Sequence, residues 1–244
     1  MKKRKQTKNV FWFLLGFLIA IALFSLNHNG KFGFDEPVDG TLTGKANIVA
    51  VDNRNEGLLG SVNVQVREGN GNILINTNPF LEPDTQQSAT IAVEVAERYT
   101  QIDLSKSDVI FDFDISSNVV GGPSAGAAMT LALISALEHK NVRGYIVVTG
   151  TIIRDGTIGD VGGIPEKANA ASLIGIKKFY IPAGQNTFVY YEEQIKARNV
   201  SPGVTLYNRT YIPKTINLKE YYQENSQMEI IEVRNISDLV QLVF

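Results

Sequence analysis

The spacing of hydrophobic residues changes along this chain and predicts alternating strands and helices. Apolar stretches at 46–51, 61–67 and 72–76 favour β-strands, and the glycine-rich connection at 68–71 predicts a hairpin between the last two. From Pro83 onward the spacing becomes helical, because small and apolar residues recur on one face. These residues are Ala89, Ala92, Val95, Ala96 and Tyr99.

The middle of the chain continues this alternation. Apolar and acidic residues alternate strictly over 109–115, which predicts a half-buried strand. The small and apolar residues that follow predict a helix over 124–139, and a buried strand is expected at 145–148.

The last third of the chain predicts further elements of both kinds. Asp155-Gly156 favours a tight turn, Pro165 begins a helix, and 178–181 is apolar enough for a strand. A strand at 229–233 and a helix at 236–244 complete the pattern. Early antiparallel hairpins combined with later strand and helix alternation predict the α+β class, with mixed sheets and packed helices.

The first 26 residues predict a membrane anchor. Five cations precede position 9, and 10–26 carries no charge. As a helix this run would span roughly 26 Å, near the short limit for a bilayer core. A retained transmembrane signal anchor fits best, with a cleaved signal peptide and a buried core helix as alternatives. The basic tail 1–9 is then cytoplasmic, and everything after Leu26 lies outside the membrane.

The polar segment 27–43 contains three glycines and Pro37 and has neither helical nor strand spacing, so it is expected to be a linker. The globular domain is expected to be 44–244, on the extracytoplasmic side of the cell membrane as part of a single-pass protein. The whole chain has 25 acidic and 23 basic residues. Because five of the basic residues lie in the tail, the domain is acidic, which argues against a nucleic-acid partner.

A serine and a lysine are the candidate catalytic pair. Ser124 follows Gly121-Gly122-Pro123 at a predicted helix start, where backbone N–H groups and the helix dipole favour an oxyanion. Gly121, Gly122, Pro123 and Ala125 would form the substrate and oxyanion loop. Taken alone, this segment is more typical of an ordinary helix start.

Few other residues offer a base for this serine. The chain has no cysteine and two histidines. His139 lies roughly 22 Å along the predicted helix, and His28 lies beside the membrane segment. Lys167 serves as a base only when its amine is neutral, which requires burial and is helped by its place in the first turn of a helix. An exposed helix lysine is the alternative.

Three motifs together resemble the proteolytic domain of the Lon family of Ser-Lys proteases. They are Gly122-Pro123-Ser124-Ala125-Gly126, Thr149-Gly150 and Gly162-Gly163-Ile164-Pro165-Glu166-Lys167-Ala168. The resemblance covers about 46–244 and implies Ser124 as nucleophile, Lys167 as general base and Thr149 as the residue that orients the lysine amine. It also implies a Lon-like fold, polypeptide substrates and assembly into homo-oligomers, with no metal and no cofactor.

The chain departs from the family pattern in two ways. Many members carry an acidic residue where Gly121 stands here, and the chain has no Gly-x-x-x-x-Gly-Lys-Ser/Thr phosphate-binding motif. The expected function is therefore that of a membrane-anchored, ATP-independent serine endopeptidase acting on unfolded or extended polypeptides. The alternatives are a catalytically silent binding or scaffold module, and a hydrolase of non-peptide amides or esters.

The tyrosine-rich segment 187–227 is longer than a minimal Lon domain requires. It is expected to be either surface decoration or a lid or rim for an extended peptide, because tyrosines combine contact area with a polar tip.

Overall fold

The computed structural model describes residues 40–51, 57–76, 78–117 and 119–244. The predicted basic tail, the membrane segment 10–26 and most of the linker lie outside these residues. Within the described part of the chain, none of the helices is both long and apolar enough to cross a bilayer.

Strands and helices alternate through the described residues. The strands are β1 (Leu42–Val51), β2 (Gly57–Glu68), β3 (Ile73–Ile75), β4 (Phe80–Leu81), β5 (Ser107–Ile115), β6 (Val119–Val120), β7 (Ile146–Val148), β8 (Thr151–Ile152), β9 (Ile158–Gly159), β10 (Lys178–Pro182), β11 (Thr187–Ser201), β12 (Val204–Asn217) and β13 (Glu229–Val233). The helices are α1 (Pro83–Thr100), α2 (Gly126–Leu137), α3 (Ile164–Leu173), α4 (Leu218–Ser226) and α5 (Ile236–Val243), with a 3-10 turn at Pro123–Ala125.

A seven-stranded mixed sheet lies at the centre, in the order β13-β10-β7-β1-β2-β5-β3. The pairs β1–β2 and β2–β5 are antiparallel, and the other neighbours are parallel. The predicted mixture of helices and mixed sheets is confirmed.

The predicted hairpin between 61–67 and 72–76 is wrong. β5 lies between β2 and β3, antiparallel to the first and parallel to the second. The side chains of Val109, Phe111 and Phe113 are buried in the core, and the backbone of β5 pairs with a strand on each edge. The carboxylate of Asp108 accepts hydrogen bonds from the connection at 70–72, which holds that segment across the end of β5.

Helices cover both faces of the sheet. One apolar cluster joins it to α1, α2 and α5, and a second joins it to α3 and α4. Alternate residues of β7 divide between the clusters, with Ile146 and Val148 in the first and Val147 in the second. Every residue of α2 is buried, and Gly44 in β1 allows close contact because a side chain there would meet the backbone of Ala132.

Several predicted boundaries shift in the structure. The helix expected over 124–139 begins at Gly126 and ends at Leu137, because residues 123–125 form a tighter 3-10 turn. Pro165 takes the second rather than the first position of α3. The first strand begins at Leu42, inside the segment expected to be linker. The turn at Asp155-Gly156 is confirmed and joins the antiparallel strands β8 and β9.

Candidate active site

A cavity of about 1290 Å³ opens beside the carboxyl ends of β1 and β7, where helices from the two faces of the sheet approach each other. Ser124 lies on one wall, at the entry to α2, and Lys167 lies on another wall, in α3. The fold therefore brings together two residues that are 43 positions apart. Crevices at the carboxyl ends of parallel strands are common ligand sites.

The nucleophile loop, residues 121–124, is held by hydrogen bonds from two directions. Gly122 has φ of 81°, a conformation that favours glycine. Its carbonyl accepts a hydrogen bond of 3.0 Å from the hydroxyl of Thr85, which is fully buried in α1. The carbonyl of Ser124 accepts one of 2.9 Å from the Gly150 N–H. The half-buried Ser124 side chain therefore stands on a restrained backbone.

The oxyanion loop differs in detail from the expected arrangement. Gly121, Gly122 and Pro123 line the cavity, whereas Ala125 is buried behind it. Pro123 has no N–H to donate. The N–H groups of Gly126 and Ala127 already donate to the carbonyls of Pro123 and Gly150. Within this loop, the candidate N–H donors to an oxyanion therefore belong to residues that precede Gly126.

Lys167 is buried and contacts a threonine. Its side chain is 4% exposed, and its Nζ donates a hydrogen bond of 3.2 Å to Oγ1 of Thr149. That hydroxyl in turn donates one of 3.3 Å to the carbonyl of Ser124. Thr149, which follows β7 and is fully buried, thus links the lysine amine to the backbone of the serine. This contact agrees with the orienting role implied for Thr149.

Burial lowers the pKa of the Lys167 amine to about 8, although the nearby Glu166 carboxylate acts in the opposite direction. At pH 7 about one molecule in ten then carries the neutral amine, against about one in several thousand at the ordinary pKa. Glu166 lines the same cavity and is half-buried, so its carboxylate stays close enough to the amine to oppose part of the shift. The lysine nevertheless retains the lowered pKa that a general base needs.

Among the described residues, no hydrogen bond joins the Ser124 hydroxyl to the Lys167 amine. The amine is instead fixed by its bond to Thr149. A neutral amine that donates one N–H to a threonine keeps its lone pair available for a proton. Catalytic hydrogen bonds in ligand-free sites are often long and shorten when substrate binds.

The sequence analysis did not identify two site residues near the start of α1, one in the helix and one directly before it. Thr85 supports the nucleophile loop, and the carboxylate of Glu82 lies against Gly121, where a side chain at position 121 would begin. Glu82 also lines the cavity. A carboxylate therefore lies beside Gly121 although position 121 itself has no acidic side chain.

A serine on a restrained loop, in one cavity with a buried lysine of lowered pKa, defines the class of serine hydrolases that use an amine as base. Comparison with known proteins agrees with this class. The model of the Lon protease (S16) C-terminal proteolytic domain matches residues 57–192, a range that includes Ser124, Thr149 and Lys167. The chain therefore belongs to this family of serine peptidases with a Ser-Lys dyad.

Curated relatives carry the same name. Lon protease of Ureaplasma parvum serovar 3 is 28% identical over 192 residues, which is 73% of this chain and 24% of that protein. Lon protease of Metamycoplasma arthritidis is 33% identical over 129 residues, covering 50% of this chain and 15% of the relative. Lon protease of Phenylobacterium zucineum is 41% identical over 78 residues, covering 32% and 10%. The matches thus span a quarter or less of each relative.

Proposed function

We propose that this protein is a serine endopeptidase in which Ser124 is the nucleophile and Lys167 is the general base. The observation that carries the proposal is the buried Lys167 amine, with its pKa near 8, in the cavity that Ser124 lines. The neutral amine takes the hydroxyl proton as the serine oxygen attacks a peptide carbonyl, and it then gives that proton to the leaving amine. Water hydrolyses the resulting ester and restores the serine.

Two substitutions test these roles. Ser124→Ala and Lys167→Met should each abolish cleavage of a permanently unfolded protein, measured by the release of labelled peptides. Ser172→Ala, on the helix that carries the lysine, is the matched control and should keep full activity. Undiminished cleavage by Ser124→Ala would exclude that serine as the nucleophile, and activity in Lys167→Met would require a different base.

We also infer that segment 10–26 anchors the protein in the cell membrane, with the domain 44–244 outside the cytoplasm. The support is the charge-free run of 10–26 and the cations that precede it. Carbonate extraction followed by protease protection of intact cells tests the arrangement. Release of the full chain by carbonate would contradict an anchor, and a domain that is digested only after cell lysis would contradict the orientation.

ATP-independent cleavage of unfolded or extended chains is the third element of the proposal. Neither proton transfer nor acyl transfer at Ser124 consumes a nucleotide, and this chain carries no phosphate-binding loop motif. Turnover of an unfolded protein should be equal with and without ATP and Mg²⁺. A strict requirement for ATP would refute this element without affecting the dyad.

One observation favours the alternative of a catalytically silent binding module. The Ser124 hydroxyl has no hydrogen bond to the lysine amine within the described structure. A fluorophosphonate probe separates the two functions, because it labels an activated serine covalently. Labelling of Ser124 supports the peptidase, and a folded but unlabelled protein supports the module.

A further inference from the structure

A two-stranded ribbon, which we call the arm, consists of β11 and β12. The two strands pair along their whole length, and neither pairs with another strand in the described part of the chain. All side chains of β11 are exposed. With 15 residues, β11 is about 50 Å long. The arm therefore presents two open edges and two broad faces.

One face of the arm carries five exposed apolar or aromatic side chains, with the Glu193–Arg209 ion pair among them. Residues with odd numbers share this face, because opposed residues in the antiparallel register point the same way. Its large side chains are between 49% and 66% exposed, and we call this surface the aromatic face. They are Val189, Tyr191, Ile195, Tyr207 and Tyr211. The other face carries four charged side chains, and it also exposes Phe188, Tyr190 and Leu206. The charged residues are Glu192, Lys196, Arg198 and Lys214.

The aromatic face is large enough to bind a partner. Two strands are about 10 Å wide, so the whole face, including its ion pair and polar side chains, covers about 500 Å². Clusters of exposed apolar side chains rimmed by polar residues commonly mark interaction sites. A two-stranded ribbon is also only marginally stable in water without further burial. Another chain that covers this surface would supply that burial.

The arm begins in the wall of the candidate active site. Thr187 and Phe188, its first two residues, line the cavity that holds Ser124. Hydrogen bonds in both directions between the Gln185 side chain and the Val161 backbone fix this base close to the start of the lysine helix. The Tyr222 hydroxyl of α4, the helix that follows the arm, donates to the carbonyl of Pro165. A polypeptide that leaves the cavity on this side therefore meets the arm.

We propose that the aromatic face of the arm binds an unfolded segment of the polypeptide whose scissile bond lies at Ser124. The proposal rests on the proposed endopeptidase function. Tyrosine and aliphatic side chains would contact apolar residues of the extended segment, and an open strand edge would accept its backbone by strand addition. The continuity of the arm with the cavity favours a substrate chain over a second copy of this protein as the occupant.

The test compares serine substitutions on the two faces of the arm in the full chain, held in detergent micelles. The aromatic-face variant carries Tyr191→Ser, Tyr207→Ser and Tyr211→Ser. The control variant carries Lys196→Ser, Leu206→Ser and Asn208→Ser on the opposite face. Each is also made with Ser124→Ala, so that binding of labelled, reduced and carboxymethylated α-lactalbumin is measured by anisotropy without cleavage.

We expect the aromatic-face variant to bind the unfolded protein about tenfold more weakly, and the control variant to bind within about twofold of wild type. With Ser124 present, kcat/KM for the unfolded protein should fall similarly, through KM, while turnover of a quenched octapeptide stays unchanged. Unchanged binding in the aromatic-face variant would overturn the proposal. An equal loss of kcat/KM for the unfolded protein and the octapeptide, together with a smaller particle in sedimentation, would also overturn it. That result would show that the aromatic face contacts another copy of this protein.

Failure of the proposed function gives a different result. If Ser124→Ala cleaves as well as wild type, the dyad is wrong. The anisotropy recorded immediately after mixing, before cleavage lowers it, still decides whether the aromatic face binds unfolded chains.

Discussion

Replacing Lys167 with methionine should stabilise the folded protein at neutral pH while it abolishes turnover. Burial lowers the pKa of this amine from 10.5 to about 8. At about 1.4 kcal/mol for each pH unit, keeping the lysine in its site costs about 3 kcal/mol of folding free energy below pH 8. Methionine removes this cost and also loses the hydrogen bond to Thr149, worth about 1 kcal/mol. The expected net gain at pH 7 is about 2 kcal/mol.

The pH dependence of this gain follows from proton binding. Between pH 8 and 10.5 the unfolded chain binds the lysine proton more than the folded chain does, so wild-type stability rises with pH through this window. The advantage of Lys167→Met should therefore be full below pH 8 and shrink as the pH approaches 10.5.

Urea unfolding followed by far-ultraviolet circular dichroism measures this difference, since the single tryptophan, Trp12, lies outside the described domain. The exposed residue Lys177, changed to methionine, is the control and should give a stability difference that does not change between pH 7 and 9. If Lys167→Met is less stable than wild type at pH 7, or if its gain in free energy of unfolding does not depend on pH, burial of a charged Lys167 does not lower the stability of the wild type.

Three further substitutions probe the surroundings of the dyad. Glu166→Gln removes the negative charge that raises the pKa of Lys167. The ascending limb of the kcat/KM profile should therefore move to lower pH, and a shift to higher pH would contradict this. Thr149→Val removes the hydroxyl that accepts a hydrogen bond from the lysine amine, so kcat should fall about ten- to a hundredfold. Thr149→Ser keeps a hydroxyl and should restore part of this loss. Equal activity of the two variants would exclude orientation of the amine by the hydroxyl. Thr85→Val removes the hydrogen bond to the carbonyl of Gly122 and should slow fluorophosphonate labelling about tenfold. Thr85→Ser keeps the hydroxyl and should retain the kcat/KM of wild type. Unaltered labelling in Thr85→Val would show that Thr85 does not support the nucleophile loop.

The candidate catalytic residues were accessible from sequence because they lie in short, chemically distinctive segments. The glycines and proline before Ser124 and those before Lys167 mark tight turns into helices, and these turns depend on neighbouring residues. The absence of cysteine and the position of His139 then left few other bases. The observed burial of Lys167 agrees with that reasoning.

Contacts between distant segments were not accessible in the same way. The position of β5 between β2 and β3 is decided by tertiary packing, whereas the connection at 68–71 has the local composition of a hairpin. The hydrogen bond from Thr85 joins residues 37 positions apart, and Glu82 reaches Gly121 across a similar separation. Neither residue carries a local signal that identifies it as part of the site.

The arm shows a third kind of limit. Its tyrosines were visible as a group in 187–227, but their distribution between two faces depends on the strand register. The register places Tyr191, Tyr207 and Tyr211 together on one face, and Tyr190 on the other. Composition alone therefore suggested either a surface or a lid, whereas pairing defines a continuous aromatic face.

The pH dependence of Ser124 phosphonylation by a fluorophosphonate tests whether a neutral Lys167 activates this serine. The full chain is treated with a fluorophosphonate between pH 6 and 10, and labelled Ser124 is quantified by mass spectrometry. The rate should be half-maximal near pH 8 and about a tenth of its plateau at pH 7. In Lys167→Met, labelling should be almost absent at all pH values. Labelling that is equally fast in Lys167→Met, or that shows no inflection near pH 8, would contradict the claim that a neutral Lys167 activates Ser124.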